Sequence, residues 1–170
     1  FGLPFLYASP LLFIHETSTP ASSTVSLHDA LPIYRIRDAV PTDAAKILDV
    51  HRQSILSLGL SGYSENETES WAAGLVPEGY GIDTLASGHV MEVAQFTNGE
   101  IVAFCHSTPF EIRALFVLPD HSRRGLASKL LQNAEFRSRR AGSQKIEIDA
   151  ALSGQYFWKH HGFVVDREID

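Results

Sequence analysis

The sequence predicts an α/β (α+β) domain over residues 34–170: a mixed, mostly antiparallel sheet flanked by helices. Three observations carry this. Short runs of alternating or continuous apolar residues recur along the chain and read as strands. Two apolar stripes at helical spacing lie between them, with start and stop signals of their own. The resulting order, β-α-α-β-β-β-α-β-α-β, suits a sheet with helices on its faces. The 137 residues from 34 to 170 are enough for one proper core.

Tyr34-Arg-Ile-Arg37 alternates and opens the domain as a short strand. Pro41-Thr-Asp43 starts a helix whose stripe is Ala44, Ile47, Leu48, Ile55 and Leu58, with Gly59 as its stop. Ser64-Glu-Asn-Glu67 is a capping box that opens a second helix carrying Trp71. A loop rich in Gly, Pro and Tyr follows from Gly74 to Gly81. His89–Phe96 and Ile101–Ser107 flank Thr97-Asn-Gly-Glu100, a hairpin signal. Phe110–Leu118 is the next strand. Its even positions Phe110, Ile112, Ala114, Phe116 and Leu118 are apolar and should face the core, leaving Glu111, Arg113, Leu115 and Val117 for a cleft. Arg124–Ala141 is a long helix with a buried stripe of Leu126, Ala127, Leu130, Leu131 and Ala134, stopped by Gly142. Lys145–Asp149 alternates as a strand, Ser153–His161 is a short helix, and Gly162–Val165 begins a last strand.

Residues 1–33 read differently. They contain no Lys or Arg. Phe1–Ile14 is apolar, but it has no basic segment before it, carries Pro4 and Pro10, and is too short to span a bilayer. Residues 17–26 are a polar low-complexity tract, expected to be disordered. Ser26–Ile33 resembles a translated sequencing-adaptor fragment. The chain opens at Phe1 and its one methionine is Met91, so it is not read as a whole gene product. The segment is expected to be a leader outside the domain, artefactual or natural and disordered.

Within 34–170 there are 14 basic and 18 acidic side chains, because Glu16 and Asp29 lie in the leader, and the net charge is −4. That balance argues against nucleic acid or an anionic membrane as partner and mildly favours a cationic acceptor such as an amine. The single cysteine, Cys105, excludes an internal disulfide and fits a reducing cytoplasm. Cys105 and His106 are strand neighbours facing opposite ways, so a core thiol is expected, not a nucleophile. The eight histidines show no metal-ligand spacing, and no metal is expected. There is no G-x-S-x-G elbow for a hydrolase.

The most telling stretch is Val117-Leu-Pro-Asp-His-Ser-Arg-Arg-Gly-Leu-Ala127, which joins a strand to the long helix through small residues. A helix N-terminus reached this way offers free backbone N–H groups and the positive end of the helix dipole, a site suited to phosphate. A side chain at Gly125, or a larger one at Ala127, would hold a ligand off that backbone. Arg123 and Arg124 add positive charge. The spacing fits neither G-x-x-x-x-G-K-[ST] nor G-x-G-x-x-G, which leaves nucleoside triphosphate and dinucleotide sites unsupported.

This stretch resembles the acyl-CoA pyrophosphate loop of the GNAT N-acetyltransferase superfamily, V-x-P-x-x-[QR]-x-x-G-x-[GA]. Val117, Pro119, Gly125 and Ala127 match, and Ser122 stands where Gln or Arg is usual. The order of elements, Tyr34-Arg-Ile-Arg-Asp-Ala39 at one end and His161-Gly-Phe163 at the other, is similar to that family as well. The resemblance implies acetyl transfer from acetyl-CoA. Ser122, Arg123, Arg124, Gly125, Leu126, Ala127 and Ser128 would lie on the pyrophosphate. Phe116 and Val117 would lie along the pantetheine arm, with a free backbone N–H there polarising the thioester. Ser153 stands where the family has a helix-opening asparagine.

Acyl transfer to an amine needs a proton acceptor for the nucleophile, polarisation of the carbonyl and a proton for the leaving thiolate. Glu111, in the family's E-I-x-x-L-x-V pattern, is the general-base candidate, with a surface Glu111–Arg113 pair as the plainer alternative. Phe157-Trp158-Lys-His-His-Gly-Phe163 aligns with F-Y-x-x-x-G-F, so Trp158 takes the place of a tyrosine that can protonate the thiolate. Indole cannot do that, and Tyr156 lies on a different helix face. His51, Tyr63 and Trp71 are on the helices that line the acceptor side in the family, although core packing also accounts for them. The family adds a seventh strand between its fifth and sixth. This chain ends at Asp170 before any such strand, so truncation is expected, with unpaired edges and a reduced acceptor pocket.

The expected function is therefore N-acetyl transfer by direct attack on acetyl-CoA, with a small-molecule or peptide amine as acceptor, in the cytoplasm. The expected partners include neither nucleic acid nor membrane, and a homodimer is left open. Trp158 and Ser153 motivate an alternative, a non-catalytic acyl-CoA-binding module. A third outcome is that the chain folds poorly without its last strand.

Overall fold

The computed structural model describes residues 6–10, 34–57 and 63–168. Every element predicted between 34 and 170 is present in order, with ends moved by a few residues. One strand precedes them, β1 (Leu6–Pro10). The domain then runs β2 (Tyr34–Asp38), α1 (Ala44–Ser57), α2 (Glu65–Ala73), β3 (Val90–Phe96), β4 (Ile101–Ser107), β5 (Glu111–Val117), α3 (Leu126–Arg140), β6 (Glu147–Ala150), α4 (Gln155–His160) and β7 (Phe163–Glu168). The sheet order is β2-β3-β4-β5-β6-β1-β7. Strands β2 to β5 form an antiparallel meander, and β6 pairs parallel to β5 after the α3 crossover. Among the described residues no helix is long and apolar enough to cross a membrane.

Local signals explain the boundaries. The Ser64 hydroxyl accepts the Glu67 N–H at 3.3 Å while the Glu67 carboxylate accepts the Ser64 N–H at 2.7 Å, the reciprocal cap expected for α2. In the hairpin, the Phe96 N–H reaches the Glu100 carbonyl at 2.7 Å. Arg137, Arg139 and Arg140 crowd the last turn of α3, where the helix dipole favours cations. Leu58 and the predicted stop Gly59 lie outside the described residues.

The sheet is packed on both faces. Helix α1 covers β4 and β5 on one side, and α3 covers β3, β4 and β5 on the other. Phe104, Ile47, Ile55, Ile112, Leu130 and Leu131 are fully enclosed. Cys105 is a buried core thiol, and burial pushes it up to about 12. Glu92, also buried, is matched by Arg137 at 2.8 Å and Asn133 at 3.1 Å.

Three expectations change. Phe110 is 64% exposed rather than in the core, because β5 starts at Glu111 and the chain before it is a turn. Ala127 is only half-buried, since it faces the cleft described below and not the sheet. The gap expected between the last two strands of the domain is filled: β1 lies there, antiparallel to β6 (Leu6↔Ala150) and to β7 (Pro10↔Phe163). A strand in that slot supplies partners for both edges. The rest of the segment 1–33 lies outside the described residues.

Candidate active site

Strands β5 and β6 touch only at their starts. Glu111 pairs with Glu147 and Ile112 with Ile148, and no pairing follows. Beyond that point the strands diverge and a cleft of about 810 Å³ opens between them. It is walled by Arg113 to Val117 of β5, the start of α3, the end of β6, and α4. A concave site at the C-terminal ends of diverging strands, at a crossover, is where α/β sheets hold ligands.

One end of the cleft is the loop from β5 to α3. Pro119–His121 makes a single 3-10 turn, and Arg123 then takes a left-handed conformation (φ 60°). Gly125 is also left-handed (φ 78°) and is the N-cap of α3. A Cβ there would meet nothing within 4 Å, so the space before it is open cleft. The first intrahelical bond runs from the Lys129 N–H to the Gly125 carbonyl at 3.0 Å. The amides of Leu126, Ala127 and Ser128 therefore have no partner within the helix, and these residues line the cleft. Among the described residues no side chain caps this helix end. The arrangement is an anion site in wait.

Ser122 and Arg123 line the cleft. Arg124 does not. Its guanidinium donates to the Tyr34 hydroxyl at 2.9 Å and the Asp120 carbonyl at 3.2 Å, and Tyr34 also meets His121 at 3.2 Å. Arg124 thus pins the loop to β2. The Ser128 hydroxyl lies 3.0 Å from Nε2 of His161 on the opposite wall. The sequence pattern assigns His161 no role in the cleft, because nothing in it couples two positions 33 residues apart. Burial and the neighbouring His160 push His161 below its ordinary value.

The other end belongs to β5 and α1. Glu111 lines the cleft and its carboxylate accepts from Arg113 at 3.2 Å; both side chains are more than a third exposed. The geometry therefore joins the two readings of Glu111, a surface pair that also faces the cleft. Phe116 and Val117 line it too, as do Ala114 and Leu115, so the predicted division into a core face and a cleft face fails once β5 leaves β6. The Ser54 hydroxyl donates to the Val117 carbonyl at 3.1 Å, which fixes α1 against the strand. His51 packs against Phe116 with ring centroids 4.1 Å apart, and Trp71 lies 6.3 Å from Phe116. His51 and Trp71 both line the cleft. Tyr63 is buried 6.2 Å from Trp71 and is not on the cleft wall.

Ser153 lines the cleft at the turn into α4. Trp158 is only 6% exposed and packs edge-on against Phe163 at 5.0 Å. Its indole nitrogen would lie 3.0 Å from a Cβ at position 154, so any larger residue there would have to push the indole aside. Tyr156, by contrast, is 78% exposed and stacks on His160.

Comparison with known proteins gives these features a context. Residues 87–165 match the family profile described as Acetyltransferase (GNAT) domain. The chain is 25% identical over 129 residues to "Uncharacterized N-acetyltransferase YafP" of Escherichia coli (strain K12), covering 76% of this chain and 80% of that protein. Among solved structures, it is similar to a GCN5-related N-acetyltransferase from Rhodopseudomonas palustris, with a TM-score of 0.71 and 26% identity over 82% of this chain and 87% of that one. The PaiA N-acetyltransferase from Thermoplasma acidophilum, solved in complex with coenzyme A, shares the fold with a TM-score of 0.52 and 21% identity, over 64% of this chain and 74% of that one.

Proposed function

We propose that this chain, whose residues 87–165 match a GNAT acetyltransferase domain, moves the acetyl group of acetyl-CoA onto the primary amine of a small molecule or peptide, by direct attack. The observation that carries this reading is the cleft between β5 and β6, with unpartnered helix amides at one end and a carboxylate at the other. The Thermoplasma relative binds coenzyme A, which supports the same cosubstrate here.

The pyrophosphate of the cosubstrate would accept from the amides of Leu126, Ala127 and Ser128, with Gly125, Ser122 and Arg123 beside it. The pantetheine arm would run along the free edge of β5 at Phe116 and Val117, as an added strand does. Ser153 would face it from the opposite wall.

Chemistry follows from those positions. The amine must lose a proton before its lone pair can attack, and Glu111 accepts it directly or through water. Arg113 holds the Glu111 carboxylate in place through their 3.2 Å ion pair. Attack forms the C–N bond and moves the carbonyl pair onto oxygen. Collapse breaks the C–S bond and releases the CoA thiolate. Trp158 cannot protonate that thiolate, since indole is no acid at useful pH and its side chain is enclosed. A thiolate is a good enough leaving group to depart and take its proton from water. No covalent enzyme intermediate is needed.

The test is thiol release from acetyl-CoA with a panel of primary amines. The wild type is expected to turn over at least one. Glu111→Gln should lose about 10²-fold or more in kcat while binding CoA as before. A Glu111→Gln variant with undiminished kcat would remove the carboxylate from the mechanism.

A further inference from the structure

His51 carries a buried polar atom that nothing among the described residues satisfies. Its Nδ1 lies 2.6 Å from the Tyr80 hydroxyl, while its Nε2 is buried and has no hydrogen-bond partner among the described residues. Buried groups of this kind are rare enough to ask for a reason.

The hydrogen-bond inventory decides the tautomer. If Tyr80 donates its O–H to Nδ1, only the Nε2–H is left unmet. If instead Nδ1–H donates to the phenol oxygen, the phenol proton and the Nε2 lone pair are both left unmet, because His51 is that hydroxyl's hydrogen-bond partner among the described residues. The first arrangement strands fewer groups, so Nε2 carries the proton. Phe116, Phe104, Tyr80 and Trp71 surround the ring, with centroids 4.1, 5.4, 6.0 and 6.4 Å away. That burial lowers His51 to about 4, so the ring is neutral near pH 7. His51 is a neutral donor in the cleft wall.

Its position relative to β5 is fixed. Ser54, one helical turn on, is bonded to the Val117 carbonyl, and the imidazole lies on the ring of Phe116. These are the residues along which the thioester would lie. A protonated Nε2 repels the N–H groups of an amine and pairs with oxygen. We propose that His51 Nε2–H donates a hydrogen bond to the carbonyl oxygen of bound acetyl-CoA and to the oxyanion formed there on attack. This rests on the acetyl-transfer reading above. The His51 proton stays on Nε2 throughout; the amine proton goes to Glu111, and the leaving sulfur takes its own from water. The rings around Nε2 have to part for the carbonyl to reach it. A neutral imidazole donor suits a site where negative charge develops, since it needs no proton from solvent between cycles.

The test uses the full chain, with CoA and acetonyl-CoA, an unreactive analogue that keeps the carbonyl, as probes. Wild type is expected to bind acetonyl-CoA about fivefold more tightly than CoA. His51→Leu should abolish that preference, bringing the affinities for the two probes together, while its thermal unfolding stays cooperative and reports that the variant is folded. His51→Gln keeps an N–H near the same position and should retain most of it. On the wild type alone, imidazole nitrogen NMR should find Nε2 protonated and shifted by acetonyl-CoA but not by CoA. A protonated Nδ1, or a preference that survives His51→Leu, would overturn the inference and leave the acetyl-transfer reading standing. A folded wild type that binds neither probe would overturn both.

Discussion

The hydroxyl of Ser54 donates to the carbonyl of Val117 at 3.1 Å, tying the last turn of α1 to the strand end beside which the cleft opens. Ser54 is 3% exposed, so water cannot replace it in that bond. Ser54→Ala is expected to cost about 1 kcal/mol of stability, read by denaturant unfolding. It should also weaken acetyl-CoA binding several-fold, because α1 carries His51 against Phe116. Unchanged affinity would mean that the tie serves the fold alone.

Asp43 and Arg37 make a second tie, at the start of α1. The two guanidinium N–H groups reach the carboxylate at 2.6 and 3.1 Å, and the Val40 N–H reaches it at 2.9 Å. The hydrogen bonds from Arg37 hold the Asp43 carboxyl below its ordinary value despite burial. Asp43→Asn should lower stability by about 2 kcal/mol, since it leaves a partly buried guanidinium without its anion. Neither residue lines the cleft, so CoA affinity should hold. Equal unfolding midpoints for wild type and variant would contradict the assignment.

Acid should loosen the fold in two separate windows. Burial lowers both His51 and His106 to about 4 from an ordinary 6.5, and for His106 the nearby His89 and Arg113 act in the same direction. The unfolded chain then binds more protons than the folded one between those values. Stability is full above about pH 6.5 and falls as pH drops toward 4, by roughly 3 kcal/mol for His51 alone. Asp43 behaves differently: its contribution is full above the unfolded aspartate value and is lost only below it. Urea unfolding at pH 7.5 and pH 5 should show the first loss, and His51→Gln should reduce it. A variant with the same pH dependence as wild type would contradict a buried neutral His51.

Strand β1 makes a prediction about residues 1–10. It pairs with β6 on one side and β7 on the other. Removing residues 1–33 would expose two sheet edges at once, and the melting temperature is expected to fall by roughly 5–10 °C. Trp158 packs on Phe163 at the start of β7, so its fluorescence offers a local readout of the same change. Identical melting of 1–170 and 34–170 would mean that β1 adds nothing to the fold.

Much of this was legible in the sequence. The strands and helices from 34 onward were visible because period-2 and period-3.6 patterns report burial locally, and the Ser64–Glu67 cap and the Asn98-Gly99 turn mark their own positions. The strand–loop–helix passage from Val117 to Ala127 was legible because an apolar strand run, Gly125 and an amphipathic stripe follow one another within a short span. Contacts across long separations were not. Arg124 looks like a phosphate ligand until Tyr34, 90 residues away, is seen to hold it. The pairing of Leu6 with Ala150 leaves no trace in an apolar run that carries two prolines and no charge pattern. The equal division of β5 into core and cleft faces failed because that rule assumes a neighbour on each side, and β5 loses one after Ile112. His51 was named for the acceptor side, but its tautomer depends on Tyr80, 29 residues away.

The measurement that bears most directly on the central claim is a calorimetric titration of CoA into the full chain and into Gly125→Glu. The wild type should bind with a dissociation constant between micromolar and sub-millimolar, on the order of 5–8 kcal/mol. Gly125→Glu should lose most of that affinity, because its side chain would enter the open space before the α3 amides and its backbone would be forced from φ 78°. A folded wild type that releases no heat with CoA, or a variant that binds as well as the wild type, would contradict the account.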